Sequence, residues 1–391
     1  MYNVGHYVIT YQGSSWLAAQ IHDSEAFHAY LYSWARTTED AITGGGSYRQ
    51  PLPHLGMSFM GRRATLGLAL VWERLLHGTT RAVTAAMRRD SIDVLHAHFG
   101  RAGYYALPIV RQLDIPLITS FYGYDVSEYP AQFPIWREYY RELFARLDFA
   151  LVLGARMRER LVELGCPPER IRIHHLGVNI EAIRYQPRRW QPGEPLRILI
   201  ASEFRERKGI PYALEALAKF AQETPVEITI IGDAADHPDG VREKQKIMAA
   251  IEKHQLAPVM RLLGKQPYKF LLEQAYQHHI FMGPSITAQD GDMEGTPMVL
   301  VDMAATGMPL ISTTHSDVPE IIRHGETGLL AAERDVQGLL DHLRWFAAHP
   351  VDWETMTQAG RRHVEAEFDR AKQNQRLEAT YLEAIANRRS G

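Results

Sequence analysis

Short apolar runs alternate along this chain with longer segments whose apolar residues recur at helical spacing, and polar loops separate the two. Gly5 to Tyr11 predicts a first strand, and Ser14 to Trp34 a helix. Asp93-Val-Leu-His-Ala-His predicts a strand that ends in polar residues, followed by a helix from Ala102 to Leu113. Pro116-Leu-Ile-Thr-Ser-Phe and Phe149-Ala-Leu-Val-Leu predict two more strands, with a helix from Ala155 to Leu164 after the second. Apolar strands alternating with amphipathic helices predict a parallel sheet covered on both faces.

The pattern breaks at Tyr185-Gln-Pro-Arg-Arg-Trp-Gln-Pro-Gly-Glu-Pro, whose prolines and glycine predict a linker. It then restarts. Leu196 to Ala201, Val226 to Ile231, Met260 to Gly264, Ile280 to Ser285 and Met308 to Ser312 predict strands. Ile210 to Gln222, Arg242 to His254 and Met298 to Thr306 predict the helices between them. Asp352 to Asn387 predicts helix interrupted at Phe368-Asp369, as if the chain crossed there between domains. The expected organisation is a domain over residues 1–188, a second over 189–369, and a closing helix over 370–391 that packs on the first. Both domains are expected to be doubly wound. In such sheets ligands bind at the carboxyl ends of the strands, so the loops there are the ones to search.

Composition narrows the class. With 391 residues, 46% hydrophobic and 23% charged, the chain suits two globular domains and excludes disordered and fibrous classes. One cysteine, Cys166, rules out an internal disulfide or a cysteine-rich zinc site and points to a reducing compartment. No apolar run has the length of a membrane helix, and the first residues lack the basic and apolar regions of a signal peptide, so a cytoplasmic protein is expected. The sequence pI near 6.7 argues against a nucleic-acid partner. Charge is nevertheless uneven. The first 190 residues hold 21 arginines and no lysine against 17 acidic residues, and the remainder is net negative; the first lysine of the chain is Lys208. This asymmetry predicts different partners for the two halves. The Arg-rich stretch between Arg62 and Arg89 reads either as a domain helix with a solvated face or as a basic amphipathic helix on a membrane surface.

The segment Asp290-Gly-Asp-Met-Glu-Gly-Thr-Pro-Met carries the most chemistry. Glu294 precedes Gly295-Thr296-Pro297, and Pro297 sits where a helix starts. Free amides and the helix dipole at such a start favour an anion such as phosphate. Glu294 and Asp302 near one helix start suit sugar hydroxyls; the alternative is a helix capped by acids over a buried strand. Asp290-Gly-Asp292 has the form of an Asp-x-Asp metal motif, but reads better as a loop acid pair before Glu294. His96-x-His98 and the pair His174-His175 lack a third ligand close in sequence, and no metal is assigned to them. Gly44-Gly-Gly46 has neither the preceding strand nor the following helix of a dinucleotide fingerprint.

Taken together, six segments resemble the retaining GT-B glycosyltransferases of family 4. They are the Glu294-Gly-Thr-Pro region, Asp93-Val-Leu-His-Ala-His-Phe-Gly, Phe121-Tyr-Gly-Tyr-Asp, His174-His-Leu-Gly-Val-Asn, Glu206-Arg-Lys-Gly, and Ser316-Asp-Val-Pro-Glu through Gly328-Leu-Leu. Among these enzymes the chain most resembles exopolysaccharide transferases of the colanic-acid type. The resemblance implies an α/β GT-B fold, two Rossmann-like domains facing a cleft, and transfer of a sugar from a nucleoside-diphosphate sugar to a glycan or a polyprenyl-diphosphate-linked acceptor. It implies no required metal or other cofactor, and a peripheral place at the inner membrane face. Glu294 would hold hydroxyls of the transferred sugar and Asp302 those of the ribose. Gly295, Thr296, Pro297 and Met298 would line the sugar and diphosphate pocket. Lys208, with Ser202, Arg205 and Arg207 near it, would meet the diphosphate, and Gly13 and Ser14 would face it from the first strand-to-helix loop. The base would sit near Gly264. His98 and Tyr122, with Asp125, Gly177 and Asn179, would meet the acceptor.

The sequence departs from the family's usual pattern in three places. Tyr122 stands where the family has His, Asp302 where it has Glu, and Ser202 or Glu203 where it has a diphosphate-binding Arg. These departures favour the alternative reading, a catalytically degenerate paralogue that binds nucleotide or glycan as a partner subunit. A sugar-nucleotide epimerase of the same architecture is a third reading, which the motif set disfavours.

Overall fold

The computed structural model describes residues 1–8, 20–21, 24, 26–33, 47–49, 81–234 and 238–390. The chain divides into two compact units. One comprises residues 1–153, 158–174 and 374–391, the other 154–157 and 175–373. The passage between them at His174 and His175 lies upstream of the proline-rich stretch, which belongs to the second unit.

The first unit is built on a parallel sheet with strands β1 (Tyr2–Val8), β2 (Phe27–Ser33), β3 (Ser47–Arg49), β4 (Val94–His98), β5 (Leu117–Ser120), β6 (Phe149–Val152) and β7 (Ile171–Ile173), in the order β3-β2-β1-β4-β5-β6-β7. The second has β8 (Leu196–Ala201), β9 (Val226–Ile231), β10 (Met260–Leu262), β11 (Ile280–Met282), β12 (Leu310–Thr313) and β13 (Leu329–Ala331), in the order β10-β9-β8-β11-β12-β13. In each sheet the order reverses once, beside β1 and β4 in the first and beside β8 and β11 in the second. Such reversals open the crevice in which α/β sheets bind ligands.

One prediction failed outright. Residues 27–33, expected at the end of a helix, form β2, which pairs with β1 over seven residues from Tyr2↔Phe27 to Val8↔Ser33. Phe, His, Tyr and Ser are weak helix formers, and the aromatic members fit a pleated sheet that is buried on both faces. The first strand is Tyr2–Val8, earlier than expected, and β7 and β13 were not anticipated. Residues 44–46 and 61–80 lie outside the described residues, whereas 81–89 are helical.

The closing helices match expectation. Helix Trp353–Glu367 ends before Phe368, and helix Arg370–Ser390 follows. Leu377, Tyr381, Ala384 and Ile385, spaced as one helical face, complete the core formed by Val4, Val8, Phe27, Leu31, Val94, Ile118 and Leu151. Among the described residues no helix is long and apolar enough to cross a membrane.

The proline-rich stretch is folded, not a free tether. The Trp190 indole donates to the Glu194 carbonyl at 2.9 Å and stacks on Trp353 at 6.3 Å between ring centroids. Arg188 is buried, and its guanidinium donates to the carbonyls of His278 at 3.0 Å, Ala275 at 2.9 Å and Thr306 at 3.1 Å, and to that of Gln186. Burial pulls its pKa down to about 10, so it remains a cation at neutral pH. Four carbonyls from three segments converge on one side chain. Arg188→Met is therefore expected to cost roughly 3–5 kcal/mol, because the carbonyls of His278 and Gln186 stay buried without this donor, whereas those of Thr306 and Ala275 keep the amides of Gln186 and His278. Urea unfolding checks this, and a loss of under about 1 kcal/mol would show that the carbonyls find other partners.

Candidate active site

In the second unit the loops that follow β8 and β11, the strands at the reversal, are fastened to each other. After β8 the chain makes a single turn, Glu206–Lys208, that ends at Gly209 with φ 63°. A Cβ there would lie 1.9 Å from the Pro284 carbonyl oxygen, so the position requires glycine. From the other loop, the Ile286 amide donates to the Arg207 carbonyl at 2.8 Å. Lys208 and Arg207 are thereby aimed at the segment before helix Met298–Thr306.

That segment supplies Glu294, which is 7% exposed. Lys208 Nζ lies 2.6 Å from Glu294 Oε1, and Arg207 Nε donates to the same oxygen at 3.0 Å. Arg207 also pairs with Asp292. Burial pushes the Glu294 carboxyl up, but Lys208 and Arg207 outweigh it and hold the pKa at about 2. The carboxylate is therefore ionised across the physiological range. The Asp290-Gly-Asp292 pair is accounted for within this network, Asp292 by Arg207 and Asp290 by the Asp292 amide, which donates to it at 3.0 Å. Arg205, by contrast, is tied to Glu203 at 2.9 Å and stands 3.9 Å from Asp292. Of the two arginines named from the sequence, Arg207 is the one that joins Lys208 at Glu294.

Two further residues, not foreseen, orient Glu294. Its amide donates to His315 Nε2 at 3.0 Å, so the ring proton is on Nδ1, which donates to Glu333 Oε1 at 2.6 Å. The Thr287 amide donates to the other Glu333 oxygen at 2.8 Å. His315 and Glu333 each lie two residues beyond a strand, β12 and β13. A polar side chain just past a strand's carboxyl end was the available signal, but β13 was not foreseen.

Helix Met298–Thr306 begins after Pro297 with no side-chain cap. The hydroxyls of Thr296 and Ser202 are buried with no hydrogen-bond partner among the described residues. Gly264 has φ 65°, and its carbonyl accepts from the Gly232 amide at 2.8 Å. Asp302 is also buried and accepts from the Tyr268 hydroxyl at 2.8 Å. Burial pushes its pKa up to about 7. Two acids on one segment are thus driven apart, Glu294 to a fixed anion and Asp302 to a group that titrates near neutrality.

In the first unit, His98 closes β4 at that sheet's reversal. Its Nδ1 lies 2.6 Å from the Tyr122 hydroxyl. The next residue, Phe99, has φ 74° and ψ 144°, a region almost reserved for glycine, which stores roughly 1–3 kcal/mol of strain beside the histidine. Asp125 does not present a free carboxylate. One oxygen accepts from the Gly100 amide and the other from the Tyr122 amide, both at 2.9 Å. Burial raises its pKa to about 6, against those hydrogen bonds. It acts as a brace for the loop that carries Tyr122.

Gly177 and Asn179 lie in the second unit, and His98, Tyr122 and Asp125 in the first. A Cβ on Gly177 would meet the Arg370 backbone at 2.3 Å, which explains that glycine by packing. Gly13 and Ser14 lie outside the described residues. Cys166 is buried, and burial pushes its thiol up to about 12, so it is no nucleophile.

Residues 62–182 match the family model described as Glycosyltransferase Family 4, and residues 184–363 that of Glycosyl transferases group 1. The chain is 33% identical over 301 residues to the colanic acid biosynthesis glycosyltransferase WcaL of Salmonella typhimurium, covering 75% of this chain and 71% of that protein. It is 33% identical over 309 residues to the amylovoran biosynthesis glycosyltransferase AmsK of Erwinia amylovora, covering 78% and 74%. The structure of Anabaena HepE in complex with UDP superposes with a TM-score of 0.77 at 14% identity, covering 97% of this chain and 100% of that one.

The opposed shifts of Asp302 and Glu294 set the pH dependence of stability. Glu294, depressed from 4.5 to about 2, contributes stability that is present above about pH 4.5 and lost as pH falls through 2. Asp302, raised from 3.8 to about 7, contributes in the opposite sense, and its contribution is lost as pH rises toward 7. Asp302→Asn is expected to stabilise the chain by roughly 2–4 kcal/mol above about pH 7 and to have little effect near pH 4. Urea unfolding across that range checks this, and an equal effect at both ends would refute the assigned shift.

Proposed function

The chain belongs to the glycosyltransferases of group 1 and family 4, and we propose that it is a retaining enzyme that transfers a sugar from a nucleoside-diphosphate sugar. The observation that carries this reading is the buried Glu294 carboxylate beside Lys208, at the uncapped start of helix Met298–Thr306. In this reading the second unit binds the donor. Glu294 accepts from sugar hydroxyls, and the hydroxyls of Ser202 and Thr296 turn to the ligand. The helix start and Lys208 take the diphosphate as its negative charge grows, with Arg207 supplying the cation that the sequence lacks at position 202 or 203. Ionised Asp302 accepts from the ribose. HepE, of the same fold, was solved with UDP, which supports a UDP-sugar as the donor.

The acceptor falls to the first unit, with the Tyr122 hydroxyl, which His98 holds from behind at 2.6 Å, as its polar contact and Asp125 bracing the loop. The bond from the anomeric carbon to the diphosphate oxygen breaks, and a bond from the same carbon to the acceptor oxygen forms on the same face. The departing phosphate oxygen receives the acceptor's proton. The chemistry needs no metal, because Lys208 and Arg207 already oppose the diphosphate charge. The names of WcaL and AmsK support a role in exopolysaccharide biosynthesis, and the acceptor in this reading is a glycan or a polyprenyl-diphosphate-linked glycan.

Transfer assays with UDP- and GDP-sugars test the reading. Lys208→Ala and Glu294→Ala are each expected to lower the transfer rate by roughly 100-fold or more. Wild-type rates in both would refute the site. Tight nucleotide binding with neither transfer nor donor hydrolysis would instead support the non-catalytic partner. Nucleotide affinity has its own signature. Because ionised Asp302 accepts from the ribose more strongly than the protonated acid does, a UDP-sugar is expected to bind up to about tenfold tighter near pH 8 than near pH 6. Calorimetry should find that dependence gone in Asp302→Asn.

A further inference from the structure

The first unit holds a second constellation. His6 on β1 is the register partner of His96 on β4, and His98 stands two residues beyond His96. Strand periodicity puts all three imidazoles on one face of the sheet at its reversal. All three are buried. One ring nitrogen from each lies within 4.8 Å of the other two, and among the described residues this is the one His, Cys, Asp or Glu cluster so arranged. The sequence presented His96 and His98 as a pair without a third ligand; β1 supplies it from 92 residues before His98.

We propose that His6, His96 and His98 bind one zinc ion that ties β1 to β4. Three points of chemistry support this assignment. His6 Nδ1 and His98 Nε2 stand 3.0 Å apart. Two nitrogens on one tetrahedral zinc, each at about 2.0–2.1 Å from the metal, stand about 3.3 Å apart, so a few tenths of an ångström would admit the ion in place of the shared proton. The outer ring atoms have the hydroxyl partners that orient metal-bound imidazoles. His98 Nδ1 meets the Tyr122 hydroxyl at 2.6 Å, and His96 meets the Tyr381 hydroxyl through Nδ1 and the Ser120 hydroxyl through Nε2, both at 2.7 Å. On binding, His96 gives up one of its two hydroxyl partners, and that hydroxyl or water completes four-coordination.

The third point is the donor set, since three imidazole nitrogens form a borderline set that suits zinc and not magnesium or calcium. The ion is a clamp within the first unit and takes no part in the sugar transfer, so its presence can be established whatever the donor proves to be.

The test uses the full chain without a histidine tag, incubated with zinc chloride, passed over a chelating resin and assayed by elemental analysis. About one equivalent of zinc per chain is expected to survive, and cobalt in its place is expected to give the visible bands of a four-coordinate site. Zinc is also expected to raise the melting temperature of the wild-type chain. His6→Ala and His96→Ala are expected to lower retained zinc about tenfold. The proposal is overturned if the wild-type chain retains under about a tenth of an equivalent with no shift in melting temperature. Wild-type zinc retention in both folded variants overturns it equally. The wild-type measurement decides the question even where a variant fails to fold.

Discussion

A carboxylate taken out of water must either pick up a proton or bring cations in with it, and Glu294 does the second. Arg207 and Lys208 are adjacent in sequence, and both reach the same oxygen. Much of the second unit's loop architecture serves that meeting. Gly209 admits the Pro284 carbonyl, Ile286 holds the Arg207 backbone, and His315 with Glu333 fixes the amide of Glu294 itself. The charge cluster holds its members in place before any ligand arrives. A site arranged in this way spends little free energy on reorganisation when charge develops.

The same segment carries a second acid whose surroundings have the opposite effect. Asp302 is buried with a tyrosine hydroxyl for company and no cation, so its charge is costly. A ligand that supplies donors to it removes part of that cost. Folded-state stability and ligand affinity therefore draw on the same residue in opposite directions, as is common where a binding site is cut into a core.

How much of this was legible depends on the range of the interactions. Strands such as Leu196–Ala201 and Val226–Ile231, and helix Met298–Thr306, could be read to the residue because their apolar runs are bounded by polar or glycine signals. Residues 27–33 misled because the turn signal just before them, at Ser24, whose hydroxyl accepts from the amides of Ala26 and Phe27, was read through as helix; the strand's identity comes from pairing with β1. Tyr185–Pro195 had the composition of a linker, but Trp190 and Arg188 find buried partners that are distant in sequence. At the site, Glu294, Lys208 and Asp302 were visible through local motifs. His315 and Glu333 were not, because their role exists only once β12 and β13 lie side by side. His6 was hidden for the same reason, as a lone histidine on a strand until β4 was placed beside it.

Helix Arg370–Ser390 has a consequence for the order of events on the ribosome. The second unit closes with residue 373, while the first lacks Leu377, Tyr381, Ala384 and Ile385 until the end of its sequence has been made. The domain begun first in synthesis is therefore the one finished last. Its sheet waits with an apolar face uncovered while an entire second domain is translated. Termination between residues 373 and 377 would spare the second unit and leave the first without its cover.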